Sequence, residues 1–177
     1  MRRLRRPFPR FRRDETGSAS VEFVILVPLF FSLFMIGMDA GLVMVRQVML
    51  DRAVDIVVRE LRLGMMSQPK LDDLRTRICN HTAILANCHN NMLIELQPVN
   101  TATWLLPETP PACIDRDEEI APVTTITAGG SNEMMIVRAC MVVDPLFPTT
   151  PWALQLPLDS SGGFQLFATS SFVNEPR

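Results

Sequence analysis

The chain has 177 residues, room for one domain and an appendage, with 17 Lys+Arg against 19 Asp+Glu and a formal net charge of -2. The average hides a division: the first seventeen residues hold seven arginines and two acids, net +5, and the other 160 are net -7. These numbers exclude a uniform acidic globule, a nucleic-acid binder with a basic folded domain and, with 47% apolar residues, long disorder.

The first element after the basic leader is apolar. From Phe23 to Val45 the chain runs 23 residues with one charge, Asp39. At ~1.5 Å per residue this is roughly 35 Å of helix, enough to cross a hydrocarbon core of about 30 Å. The seven arginines before it predict a cytoplasmic N-terminus and an exported remainder by the positive-inside rule. The stretch is longer than a signal-peptide core and no A-x-A site follows it, so it is expected to stay as an anchor. Asp39, nearer the outer face, is expected to be reached by water and headgroups.

Residues 46–63 continue with helical spacing. Leu50, Ala53, Val54, Val57 and Leu61 form one stripe, and Gly64 is a stop signal. One helix is therefore predicted from about Ser20 to Leu63. Pro69 opens a second helical pattern through Leu71, Leu74, Ile78, Thr82 and Leu85, predicted to end near Ala86-Asn87. Met92 to Gln97 alternates as a strand closed by Pro98, and residues 100–132 read as a Pro/Thr/Gly loop. Glu133–Val143 reads as a buried strand and Phe164–Val173 as the last one. Most of the fourteen prolines lie after residue 68, against an all-helical bundle. The predicted fold is α+β: a long N-terminal transmembrane helix extending into a small head with a second helix and a roughly three-stranded antiparallel sheet. The divisions are 1–17, a cytoplasmic leader; 18–45, the transmembrane helix; 46–63, its amphipathic extension; and 64–177, the exported head.

Few residues suggest chemistry. There are two histidines and no tyrosine, and no G-x-S-x-G, H-E-x-x-H or P-loop occurs. No catalytic residue, metal or cofactor is assigned, and the chain is read as no enzyme. Cys79-Asn80-His81 and Cys88-His89 lack the spacing of a zinc site. The acid run at 115–119 lacks the glycine and glutamate of a calcium loop and reads as solvated surface. All four cysteines, Cys79, Cys88, Cys113 and Cys140, lie beyond the apolar span, where an exported domain would oxidise them. Three connectivities are possible; the reading favours Cys79 with Cys88, closing a local loop, and Cys113 with Cys140, tethering the long loop to a strand.

At the near side of the span, Gly17 joins the basic leader to Ser18-Ala19-Ser20-Val21-Glu22-Phe23. A glycine, four residues, then Glu-Phe resembles the prepilin-peptidase site of type IVb pilins. The stretch GSASVEFVILVPLFFSLFMIGMDAG is similar to the TadE/TadF/TadG-like minor pilins (pseudopilins) of the tight-adherence pilus system. Shared features are the Val-Glu-Phe start, the early Pro28, and the small and acidic helix end at Gly37, Asp39 and Gly41. The ending Phe167–Pro176, with its Asn-Glu-Pro, resembles that of TadE-like proteins, and Cys79 and Cys88 fall where many members carry a pair. Val173, in place of an arginine, and the pair Cys113 and Cys140 depart from the pattern.

The resemblance implies cleavage after Gly17, with Gly17, Ser18, Glu22 and Phe23 as the processing site. It also implies assembly contacts through Glu22 and the new α-amino group of Ser18. The implied partners are other Tad pilins and pseudopilins, prepilin peptidase, an inner-membrane assembly platform and membrane lipid, with no nucleic acid. The implied place is the bacterial inner membrane, single-pass, with the head periplasmic, and the implied function is assembly of a surface pilus that mediates adhesion. The alternative is a single-pass anchored envelope protein whose head binds a ligand or protein partner.

Overall fold

The structure, a computed structural model, describes residues 18–66, 68–106, 109–118 and 122–176. Helix α1 spans Ser18–Arg62, 45 residues or about 68 Å. Its end is a Schellman closure around Gly64 at φ 70: the Met65 N–H donates to the Glu60 carbonyl at 3.1 Å and the Gly64 N–H to Leu61 at 2.9 Å. Helix α2 covers Leu71–Asn80 and the one-turn α3 covers Cys88–Asn91. Strands β1 (Met92–Pro98), β2 (Met134–Val143) and β3 (Phe164–Val173) form one antiparallel sheet in the order β1-β2-β3. The α+β architecture, with a long apolar N-terminal helix, a second helix and three antiparallel strands, is the one the pattern predicts.

The core is a single layer between the helices and one face of the sheet. From α1 come Leu50, Ala53, Val54, Val57, Val58 and Leu61, and from α2 Leu74 and Ile78. The strands supply alternate residues, among them Ile94, Leu96, Val137, Met141, Leu166 and Phe172. The stripe read from residues 50 to 61 therefore packs on the protein's own head.

The two faces of the sheet differ. Along β3 buried and exposed residues alternate, so its outer face is wet. Nearly every residue of β2 is buried, because the long β1–β2 connection folds back over the outer face and is bonded there through Cys113–Cys140. That connection also closes the free edge of β1: the Leu96 N–H donates to Thr125 and Leu96 accepts from Thr127.

The second helix is shorter than its apolar pattern. Cys79 and Cys88 are disulfide-bonded with Cα atoms 5.7 Å apart, whereas nine residues of continuous helix would separate them by about 13.5 Å. The chain must turn between them. It leaves α2 at Asn80, caps it with Thr82 Oγ1 donating to the Cys79 carbonyl at 3.0 Å, and re-enters helix at Asn87, which has φ 53. Thr82 and Leu85 are still buried. The apolar spacing had reported burial and not a continuous helix.

Candidate assembly surface and the helix–head joint

In the first half of α1 the described side chains are not buried in the head. From Ser18 to Met38 the described side chains are exposed or half-exposed, including Phe23, Ile25, Leu29, Phe30, Leu33 and Phe34. By length and composition this is one N-terminal helix able to span a membrane. An unpaired face of this size in a water-soluble protein would be an aggregation site. Pro28 sits inside it and leaves the Val24 carbonyl without its i+4 donor. Spanning helices accommodate that loss where neighbouring helices or side chains re-satisfy the group.

The predicted processing and assembly residues fall at the start of this surface. Gly17 lies outside the described residues. Ser18 is the first residue of α1, and Glu22 and Phe23 follow one turn on, both exposed. Among the described residues no cation pairs with Glu22. A carboxylate at the edge of an apolar surface without a cation is costly to take out of water.

Asp39 corrects an expectation. It is 1% exposed, not open to water and headgroups. Its carboxylate accepts from the backbone N–H of Leu146 at 2.9 Å and of Phe147 at 3.4 Å. Two turns on, Arg46 Nη1 donates to the Asp144 carbonyl at 2.7 Å, and Asp144 in turn pairs with Arg116 at 2.7 Å. The segment following β2 is thus clamped onto α1 between Asp39 and Arg46, where the head first meets the helix. Sequence reasoning saw a lone acid in an apolar run and missed its role, because the partners lie 107 and 108 residues away.

The rest of the head is built for support. Glu95 and Arg138 face each other across β1 and β2 and form an ion pair, both largely buried under the loop. Arg138 also donates to the Thr109 carbonyl, and Glu95 accepts from the Ala112 N–H. In the acid run Asp117 and Glu118 are exposed, as a solvated surface would be, but the arginine between the acids is engaged. Arg116, in its middle, donates to Ser161 Oγ at 2.7 Å, tying the loop to the β2–β3 connection. The Asn-Glu-Pro ending is also structural: Asn174 donates to Gly130, and Glu175 pairs with Arg62 at 3.3 Å, closing β3 against the end of α1. At that same end Trp104, at φ 53, Leu105 and Leu106 are exposed on a short turn held by Asn100. Among the described residues no group of three or more His, Cys, Asp or Glu converges as a metal site would require.

Among the described residues one helix is long and apolar enough to span a membrane, its second half faces the core, and the head is a small disulfide-bonded α+β unit, a combination consistent with a single-pass membrane protein. A family model described as TadE-like protein matches residues 17–59, from Gly17 through the last turns of α1, consistent with a TadE-like Tad pilus protein. The family is structural and non-enzymatic. No curated protein matches the chain, and no solved structure does.

Proposed function

We propose that this chain is a minor pilin, or pseudopilin, acting in assembly of a Tad-type type IVb pilus. The observation that carries the reading is the overlap of the family match with an exposed apolar helix. The match runs over residues 17–59, and within it the described side chains from Ala19 to Met38 are exposed or half-exposed. On this reading the leader 1–17 is cytoplasmic and is removed by prepilin peptidase. Residues 18–45 hold the subunit in the inner membrane, 46–63 extend that helix, and the head 64–177 is periplasmic.

Assembly exchanges lipid for neighbouring helices, so apolar burial changes little. Charge pairing sets the register. Cleavage would free the α-amino group of Ser18, with a reference pKa of about 7.7–8.0, one turn from Glu22. That amine, on the same or an adjacent subunit, is the cation Glu22 needs. Wrong docking leaves a buried charge unpaired, at several kcal/mol.

Replacing Glu22 with Ala tests the reading. The variant inserts in the membrane, yet its co-purification with other pilins falls by roughly tenfold or more, and pilus counts fall with it. Recruitment equal to wild type removes Glu22 from assembly.

A further inference from the structure

We infer that Pro145–Leu158 is a membrane-surface collar, seated on the lipid headgroup and upper acyl region of the bilayer on the side where the head lies. The inference rests on α1 spanning the membrane, and it adds a second lipid contact to that span.

The collar has the right place. From Phe23 to Val45 is twenty-two residues of rise, about 33 Å, one hydrocarbon thickness, and its outer end lies between Asp39 and Arg46. At that level Asp39 and Arg46 hold the two sides of the segment's start, Asp39 through the Leu146 and Phe147 amides and Arg46 through the Asp144 carbonyl. A headgroup surface that meets the end of the apolar span therefore meets this segment as well.

The collar has the right composition. Between Asp144 and Asp159 lie fourteen residues without a charge, PLFPTTPWALQLPL. Leu146 and Leu154 are 46% and 68% exposed, and Trp152, in the same segment, is half-buried. Tryptophan with exposed leucines is the combination favoured where one side of a surface is wet and the other apolar.

It also has a backbone that tolerates lipid, where an unpaired N–H costs several kcal/mol. Three prolines after Leu146 carry no N–H. Most of the remaining donors are already taken, by Asp39 or inside the segment: Thr150 to Phe147, Ala153 to Thr150 Oγ1, Leu154 to Thr150 and Gln155 to Trp152. Thr150 is buried and its hydroxyl donates back to Phe147, so the loop is held as a small folded unit. The two flanking carboxylates are held: Asp144, before the segment, pairs with Arg116, and Asp159, after it, accepts from the Ser161 and Gly163 amides.

The chain's two tryptophans make the test. Trp152 is in the collar, and Trp104 lies by the opposite end of the head, next to the strand ends that close on Arg62. The full chain is reconstituted in phosphatidylethanolamine–phosphatidylglycerol vesicles containing lipid brominated near the headgroup end of its acyl chains, and flotation is scored first. In Trp104→Phe the remaining Trp152 emission is blue-shifted and loses intensity to the bromolipid; in Trp152→Phe the remaining Trp104 emission keeps it. Leu146→Asp with Leu154→Asp, in the Trp104→Phe background, still floats but loses the quenching. A floating protein whose Trp152 is quenched no more than Trp104 overturns the collar and leaves the span intact. So does a photocrosslinker at position 154 that captures a second copy of the chain instead of lipid. A chain that fails to float overturns the span and the collar together.

Discussion

Asp39 is a carboxylate withdrawn from water in exchange for two backbone donors. Removing it leaves the part-buried Leu146 and Phe147 amides without that acceptor, so Asp39→Ala is expected to cost ~1–3 kcal/mol. Asp39→Asn keeps one oxygen acceptor and loses less. Hydrogen exchange at those two amides, with protease sensitivity across 145–157, reads the loss; unchanged protection in Asp39→Ala would refute the clamp. Glu95 poses the same question in the sheet. It is the cross-strand partner of an arginine with one nitrogen, Nε, already lacking a hydrogen bond. Glu95→Ala strands a largely buried guanidinium and is expected to cost about 3–5 kcal/mol, seen as a lower urea midpoint of the head in detergent. In the sequence Asp39 stands out as a single charge in an apolar run, and Glu95 is one polar position of an alternating strand. Their partners do not stand out, since each contact joins segments tens of residues apart and no local spacing encodes it.

At the scale of elements, local pattern was most informative where one physical cause acts. The α1 stripe, the extents of β1 and β3 and the glycine stop at Gly64 each follow from local pattern or a single dihedral need, and each falls within two residues of its predicted place. Where two causes compete, the pattern misled. Residues 71–85 have helix spacing, yet a covalent bond between Cys79 and Cys88 forces a turn into the middle of it. In β2 the continuous apolar run predicts burial on both faces but does not say what covers the second. The cover is the proline-rich loop, fixed to the strand through Cys113 and Cys140. Cys113→Ala with Cys140→Ala should therefore lower head stability by ~2–4 kcal/mol and expose the outer face of β1 and β2 to exchange, leaving the α1 face protected. Equal loss of protection on both faces would show that the bridge holds the whole head rather than its loop.

For the molecule as a whole, one helix does two jobs divided at Asp39. Below it the surface is apolar on all sides and suits lipid or other helices; above it one stripe is buried in the head. The sequence shows the first as an uncharged run and the second as a 3.6-residue repeat. It does not show that the head reaches back to Asp39 and Val43, because Gly41 to Val45 is as apolar as what precedes it. The measurement bearing most directly on the pilin reading is the N-terminus of the protein purified from membranes of its native host, by Edman degradation with intact mass. The account predicts a chain that begins at Ser18 and lacks the seventeen-residue leader, and a full-length precursor when Gly17 is replaced by a bulky residue that the peptidase cannot hold as closely as a glycine. Wild-type protein that begins at Met1 or Arg2 would contradict it.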